Sequence, residues 1–463
     1  MSELRLGVDI RARGATGVLL DVDDTILAEL TVPGPGAPAD LLRTVVGDLA
    51  DDRRTAIGAV VIASSVPAEG LTVPSELSRV GVLRIGAPAA TSVPPLTGWP
   101  AELTVPVGGP VAMIRGGHRY DGEELAALDL DGVAEFGRTC RGVVGAVAVS
   151  AIDSHVNALH EQRAVALLSD LLGPGVPIIA GYRAGGSGLL ERENTAVLDA
   201  ALATRARRFV EDCGAGLAEA GVAGDLYLTG GDGTVAPASW VADHPLHTLD
   251  AVHGAARAGA AQLTGRRSLV VVDVDEERVR ISAQSGGLPV ETGTPTVIRG
   301  VRLGTRQVRG VEVDHSGPSA RRPATVRRVA RAVERVRAGL LEVPLVMVGT
   351  RADTVPAPTG MEVLRPVHAA CASAVGAAGG QASGSVDRLF WLGGDGMAEC
   401  VEAARVEAKD AAIRSGADPA RLTVGDVREA LMTYVPVGCV RLRVTATGPI
   451  MSAPVGPVEE ASR

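Results

Sequence analysis

Short apolar runs alternate along the chain with longer stretches in which apolar residues recur at helical spacing. The early runs predict strands over residues 6–10, 17–20, 59–62, 81–85 and 143–149. From Glu191 to about Ala220, apolar residues recur near the 3.6-residue period with arginines between them, which predicts a long helix. Strands that alternate with helices in this way are typical of an α/β protein.

One strand–turn–strand pattern occurs twice. The first copy is a strand that ends at Asp9 and returns over residues 17–21, and the second is a strand that ends at Asp273 and returns over residues 279–282. Two such hairpins, far apart in one chain, predict two related lobes that each open with a hairpin. The actin, sugar kinase and Hsp70 superfamily builds its nucleotide cleft from lobes of this kind.

Composition and charge narrow the functional classes. The 463 residues carry a formal charge of −9 and only 2% aromatic residues, which argues against a nucleic-acid binder. The five cysteines are odd in number and form no C-x-x-C pair, so we expect neither a disulfide framework nor a zinc knuckle. The longest uncharged apolar run, Val143–Ile152, has half of the roughly 20 residues that a membrane span needs. With no visible signal peptide, these features predict a cytoplasmic protein that has no contact with a membrane.

Several segments together resemble the hydantoinase A and 5-oxoprolinase family. They follow the family order over nearly the whole chain and lie at residues 82–91, 116–122, 156–161, 188–194, 229–234, 365–369, 416–419 and 434–436. The resemblance implies an α/β fold of two ribonuclease-H-like lobes of the actin/sugar kinase/Hsp70 superfamily, which face each other across a central cleft. It divides the chain into a region like the N-terminal part of hydantoinases and oxoprolinases (1–184), a hydantoinase A-like region with the second lobe (185–448) and a flexible tail (449–463).

The resemblance also implies a chemistry. The family is a hydrolase subunit for the ATP-dependent opening of a cyclic amide, imide or hydantoin ring, in which ATP and Mg²⁺ turn the unreactive amide oxygen into a leaving group. A second, hydantoinase B-like subunit is the expected partner, and a homo-oligomer is a further possibility. Phosphoryl transfer of this kind needs backbone amides around the phosphates and carboxylates that hold the metal.

The sequence departs from the family at the phosphate-binding turns. Glycines that the family has after each hairpin aspartate are absent from Asp9–Arg13 and from Asp273–Glu277, and the helix start at Ala251–His253 lacks the usual Ser-Gly-Pro. One carboxylate about 4 Å from a phosphate charge costs roughly 4 kcal/mol at an effective dielectric near 20. We therefore expect ATP binding to be lost or strongly weakened. The chain is then either an altered hydrolase subunit or a catalytically silent structural or regulatory relative.

The candidate site residues follow from the resemblance. Asp9 and Asp273 correspond to the family's metal and catalytic carboxylates, although a strand-end Asp can also cap its own turn. A remnant nucleotide site is predicted from Arg11, Arg13 and Gly349. We expect the two arginines to pair with Asp275, Glu276 or Glu277 and so to close the old phosphate site.

A second group is a candidate for substrate binding or lobe contact. It consists of Gly117, His118, Asp121 and Asp232. The alternatives are a hydrogen-bonded histidine in an exposed loop for the first three and a simple turn for Asp232. No metal site is predicted from the sequence.

Overall fold

The computed structural model describes residues 4–314, 323–340, 342–356, 361–392, 396–432 and 438–451. The strands are β1 (Leu4–Arg11), β2 (Gly14–Leu20), β3 (Ile26–Pro33), β4 (Ile57–Ala63), β5 (Val80–Ala87), β6 (Gly108–Arg115), β7 (Ala146–Ala151), β8 (Ile178–Ala180), β9 (Asp225–Thr229), β10 (Val235–Pro237), β11 (Leu269–Val274), β12 (Arg278–Ser285), β13 (Leu288–Pro289), β14 (Glu291–Ile298), β15 (Val301–Val308), β16 (Gly310–Asp314), β17 (Leu345–Val348), β18 (Val363–Leu364), β19 (Gln381–Trp391), β20 (Thr423–Val424), β21 (Arg428–Leu431) and β22 (Cys439–Pro449).

Helices cover the faces of the sheets. They are α1 (Pro38–Gly47), α2 (Asp51–Thr55), α3 (Val66–Glu69), α4 (Ala101–Val107), α5 (Leu130–Cys140), α6 (Leu159–Leu172), α7 (Leu189–Glu219), α8 (Ala238–Val241), α9 (Ala251–Thr264), α10 (Pro323–Arg337), α11 (Ala372–Ala378) and α12 (Gly396–Arg414). Strands and helices that alternate in this way confirm the predicted α/β class.

The large sheet has the strand order β20-β22-β19-β10-β9-β4-β1-β2-β3. Its hairpin β1–β2 is antiparallel, whereas β4 runs parallel to β1 and β9 runs parallel to β4. Strand β1 is apolar on both faces because α1 and α11 both pack against it. The edge strand β3 instead alternates between half-buried and exposed residues.

The second sheet repeats this strand order in the later part of the chain. Its order is β13-β12-β11-β17-β18, and β16 also pairs with β12. As in the first hairpin, β11 and β12 are antiparallel, and β17 runs parallel to β11. The predicted repeat of two Asp-bearing hairpins is therefore present as two sheets with the same order around their hairpins.

Two further sheets complete the described part of the chain. The small sheet β6-β5-β7-β8 is parallel and is formed by residues between β4 and β9 of the large sheet. The second is the ribbon β14–β15. The long helix α7 packs against β7, β15 and α1, so one helix contacts the small sheet, the ribbon and a helix that covers the large sheet.

Sheet membership crosses the boundary predicted at residues 184/185, because the large sheet takes strands from both sides of it. The strand predicted at 143–149 begins later, at Ala146, since residues 141–143 form a turn after α5. Strand β22 extends to Pro449 and Ile450 bridges to Ala417, so the sheet includes the first residues of the predicted tail.

Residues 434–436 and 452–463 lie outside the described ranges. Within those ranges, no helix combines the length and apolar character that crossing a bilayer requires.

Candidate functional site

Asp9 and Asp273 occupy equivalent places near the carboxyl ends of β1 and β11. Their side chains are buried, and the two residues are 4% and 2% exposed. In each carboxylate Oδ2 is hydrogen-bonded, whereas Oδ1 has no hydrogen-bond partner among the described residues. A buried carboxylate oxygen without a partner is costly, so both positions have unused capacity to bind a donor or a cation.

Arg11 supplies positive charge to both of these carboxylates. Its Nε donates a 2.7 Å hydrogen bond to Oδ2 of Asp9, and the hydroxyl of Ser373 on α11 donates to the same oxygen. Burial by itself would lower the pKa of Arg11, but the charges of Asp9 and then Asp273 outweigh it and raise that pKa above its ordinary value. The guanidinium therefore stays charged and stabilises both anions.

His253, on the first turn of α9, contacts the second carboxylate. Its Nδ1 lies 3.2 Å from Oδ2 of Asp273, and its Nε2 lies 2.9 Å from the hydroxyl oxygen of Ser282. Burial would raise the pKa of Asp273, but the hydrogen bond and charge of His253, together with Arg11, hold it below its ordinary value. The order Asp–His–Ser resembles a nucleophilic triad, but Ser282 is only 1% exposed and is closed to an acyl substrate in this conformation.

Gly349 follows β17 and packs against the end of β11 in the second hairpin. Its φ is +97°, and a Cβ there would be 2.4 Å from the carbonyl oxygen of Val274 and 2.6 Å from Oδ1 of Asp273. The next turn is tied to the same strand, because the backbone N–H of Arg351 donates to the carbonyl of Val274 at 3.0 Å. The structure thus places Gly349 directly beside Asp273.

The predicted ion pairs between the two hairpin tips form for Arg13. Its Nη1 is 2.8 Å from Oε2 of Glu276, and its Nη2 is 3.0 Å from Oε1 of Glu277. For Arg11 the predicted hydrogen-bond partner was wrong, because the side chain turns inward and bonds to Asp9. Arg13 is about two-thirds exposed, so its pairs contribute at most about 1 kcal/mol to stability.

These side chains fit a magnesium–triphosphate group poorly. Mg²⁺ needs several oxygen ligands in near-octahedral geometry, and phosphates need close backbone amides. Here the guanidinium of Arg11 is already bonded to Asp9, and two glutamates stand at the tip of the second hairpin.

The second candidate group does not share one environment. Gly117 and His118 are buried beside α6: the N–H of Gly117 donates to Nδ1 of His160 at 2.9 Å, and the two histidine rings lie 4.3 Å apart. Burial lowers the pKa of His118. The exposed-loop alternative is therefore wrong for this histidine, since it is 2% exposed. Asp121 is exposed and caps its own turn through the N–H of Glu123.

Asp232 is a turn residue that also lies near a buried cation. Its Oδ1 accepts hydrogen bonds from the N–H and the hydroxyl of Thr234. Arg257 on α9 donates to the carbonyl of Gly231 at 3.2 Å, and burial lowers its pKa to about 10 against the opposing charges of Asp232 and Asp250. Because Arg257 is one turn from His253, α9 links the Asp232 turn to Asp273.

Sequence reasoning missed four residues of this arrangement. They are His253, Arg257, Ser282 and Ser373. His253 was visible only as part of a departure from the family motif, and Arg257 lies in an alanine-rich helix without a recognisable pattern. The two serines carry no signal, because their roles depend on which helix packs against which strand.

Comparison with known proteins supports the fold. No family model matches the chain, and no curated protein matches it by sequence. An ATP-dependent caprolactamase from Pseudomonas jessenii superposes with a TM-score of 0.71 at 15% identity, over 99% of this chain and 90% of that one. A nucleotide-free acetone carboxylase, described in a study of ATP-dependent acetone carboxylation, gives 0.64 at 10% identity, over 97% of this chain and 88% of that one. The chain therefore shares its fold with proteins of this kind over nearly its full length.

Proposed function

We propose that this chain is a hydantoinase A/5-oxoprolinase-like subunit of an assembly that opens a cyclic amide, imide or hydantoin ring. The proposal is supported by the family-like segments in the sequence and by the fold shared with an ATP-dependent caprolactamase. On this proposal the large and second sheets belong to two lobes, and the hairpins of Asp9 and Asp273 face each other across the cleft between them.

In this subunit, we propose, the nucleotide site is closed. The observation that carries the proposal is Arg11, whose guanidinium is bonded to Asp9 and also stabilises the charge of Asp273. A cation fixed there takes the place of the metal that would bring a triphosphate. The chain then serves as a catalytically silent structural or regulatory partner of a hydantoinase B-like subunit.

A second candidate function is a hydrolase subunit that still uses an altered cleft. It is favoured by the unpartnered Oδ1 atoms of Asp9 and Asp273, which leave one acceptor on each carboxylate for a ligand. The two candidates differ in whether the cleft binds nucleotide.

The deciding experiment measures thermal unfolding and calorimetric binding of the whole chain with Mg-ATP. We expect no change in Tm, whereas a ligand at 100 times its Kd would stabilise the fold by about 2.7 kcal/mol. Stabilisation by Mg-ATP that disappears in Asp273→Asn would favour the altered hydrolase. A shift in Tm with a co-encoded hydantoinase B-like subunit, together with no shift with Mg-ATP, would support the partner role.

A further inference from the structure

Three side chains with metal-binding chemistry meet at the edge of the large sheet. Among the residues that the structure describes, Glu29, His368 and Cys371 form a group in which one donor atom from each lies within 4.8 Å of the others. Glu29 is on the edge strand β3, and the other two belong to the segment between β18 and α11. The group shares no residue with the Asp9 and Asp273 hairpins, and its segment is linked to them by the N–H of Gly349, which donates to the carbonyl of Ala369 at 2.8 Å.

The local backbone holds the histidine and the cysteine close together. His368 has a φ of +67°, a left-handed conformation that few residues other than glycine adopt. Its carbonyl accepts hydrogen bonds from the N–H of Cys371 at 3.1 Å and from the thiol of Cys371 at 3.2 Å. The tight turn thus places the imidazole and the sulfur on one side of the segment.

The third donor comes from a different element. Glu29 pairs with Val18 of β2 across the antiparallel ladder, and its carboxylate is in direct contact with the imidazole of His368. An imidazole–carboxylate contact alone would be an ordinary exposed ion pair. The thiol of Cys371 distinguishes this cluster, because it adds a soft ligand to the nitrogen and oxygen donors.

We propose that Glu29, His368 and Cys371 bind one Zn²⁺ ion. Thiolate, imidazole and carboxylate are all zinc ligands, with bonds of about 2.0–2.3 Å. At those bond lengths, tetrahedral ligands stand about 3.3–3.8 Å apart, so small side-chain rotations suffice to reach a common centre. Two of the three residues are exposed, which leaves the fourth position open to water or to a group from outside the chain.

The ion would connect two parts of the fold. It would tie β3 to the segment that enters α11, only two residues before Ser373, whose hydroxyl bonds Asp9. Zinc would therefore hold the start of α11 in the position that Asp9 uses. The site itself makes no use of the nucleotide cleft, so it stands or falls independently of the proposed function.

The test is zinc binding by the whole chain, purified without an affinity tag that holds metal and then dialysed against a chelator. Isothermal titration with zinc chloride is expected to give one ion per chain, and Co²⁺ in its place is expected to show a thiolate-to-metal charge-transfer band. Cys371→Ser and His368→Gln are expected to weaken binding by more than the roughly 10–100-fold that loss of a second-shell partner causes.

Cys400→Ser is the matched control. Cys400 is also buried, and its thiol donates to the carbonyl of Trp391 at the same 3.2 Å distance as Cys371 to His368. This variant is expected to bind zinc as the wild type does. The proposal is overturned if the wild type binds no zinc, or if Cys371→Ser and His368→Gln bind it as tightly as Cys400→Ser. His368 is exposed, so its variant tests ligation even if Cys371→Ser does not fold.

Discussion

Arg11 contributes positive charge to both Asp9 and Asp273, and His253 also stabilises the charge of Asp273. Replacing Arg11 by alanine leaves Asp9 and Asp273 buried without their shared cation. Because the Arg11 side chain is 29% exposed, we expect a loss of about 2–3 kcal/mol in the free energy of unfolding, below the 3–5 typical of a fully buried pair. Urea denaturation at pH 7 measures this loss. Arg13→Ala, which breaks only exposed pairs, is the control and is expected to cost less than about 1 kcal/mol.

The loss of stability in Arg11→Ala is also expected to depend on pH. The folded-state pKa of Asp273 lies below its ordinary value of 3.8, so its charge stabilises the fold above that pH, and the stabilisation is lost as the pH falls through the lower folded value. His253 gives the larger part of this lowering of the pKa and Arg11 a smaller part, so the difference between wild type and Arg11→Ala is expected to narrow as the pH falls below 3.8. A difference that stays constant down to that range would mean that Arg11 stabilises the fold through packing.

The pH dependence of stability expected from Asp199 is the reverse of that expected from Asp273. Asp199 is buried in α7, where one oxygen accepts from the N–H of Leu246 at 2.9 Å, and burial raises its pKa well above the ordinary 3.8. Its contribution to stability is present below pH 3.8 and is lost as the pH rises through the raised value. Asp199→Asn keeps the acceptor without the charge, so we expect it to be more stable than wild type at pH 7.5.

Urea denaturation at pH 4.5 and at pH 7.5 measures this difference, which is expected to grow with pH. Glu135→Gln is the control, because Glu135 is exposed on α5, where it pairs with Arg138, and is not among the groups that shift the pKa of Asp199. Its effect is expected to stay within about 1 kcal/mol at both values. Equal behaviour of the two variants would contradict the inferred burial effect on Asp199.

At the residue scale, the features that could be predicted are those that depend only on a residue's place along the chain. The ends of two hairpin strands fix Asp9 and Asp273, and charge predicts the pairing of Arg13 with the acidic tip. The inward direction of the Arg11 side chain could not be predicted, because its guanidinium also donates to Ser373 on α11, at 3.4 Å and 362 positions away in the chain. His253 was hidden for the same reason, since its partner Asp273 lies on another element.

At the scale of elements, the crossing of α9 and α11 connects the large and second sheets. Helix α9 packs on β11 and β17, and α11 packs on β1 and β2. The two helices touch through their backbones: a Cβ on Gly259 would lie 1.8 Å from the carbonyl oxygen of Ala372, and one on Gly376 would lie 2.0 Å from that of Ala255. Only glycine permits this approach at either position.

Gly259→Ala is therefore expected to destabilise the protein by about 3 kcal/mol or more, at the upper end of the range for overpacking. Gly214→Ala is the matched control, since Gly214 lies inside α7 with open space where its Cβ would be. Helix propensity alone is expected to make that variant more stable by about 0.5–1 kcal/mol. If denaturant unfolding shows the same sign for both, the close crossing is not a constraint.

The elements themselves were largely predictable. The hairpin strands and the helix at 191–220 follow from local apolar periodicity, and the structure has them at 4–20, 269–285 and 189–219. Valines recur at helical spacing among the arginines of residues 323–337, and this stretch forms the amphipathic helix α10, with Val329, Val333 and Val336 buried. The glycine contact between α9 and α11 could not be predicted, because glycines in an alanine-rich helix give no sign of which surface they face.

At the scale of the whole molecule, α7 joins the small sheet and the β14–β15 ribbon to α1, a helix that covers the large sheet. The α/β class was predictable from alternation along the chain, but the division into sheets was not, since β5 to β8 leave the large sheet and form their own. The sheet that a strand joins depends on its pairing with strands that are distant in the chain. Helix α7 is attached to the small sheet by a buried ion pair, in which Nε of Arg84 on β5 donates to Glu193 at 2.7 Å and the hydroxyl of Ser150 on β7 donates to Glu193 at 2.9 Å.

Because α7 packs on the small sheet, on the ribbon and on α1, we expect the wild type to unfold in one calorimetric transition. Glu193→Ala leaves the Arg84 charge buried and unpaired, which is expected to cost about 3–5 kcal/mol and to lower the Tm of that single transition. Glu135→Ala, which breaks an exposed pair with Arg138 on α5, is expected to change the stability by less than about 0.5 kcal/mol. Two transitions in the Glu193→Ala scan, of which only the earlier one is shifted, would mean that the small sheet melts on its own and that α7 does not couple the sheets.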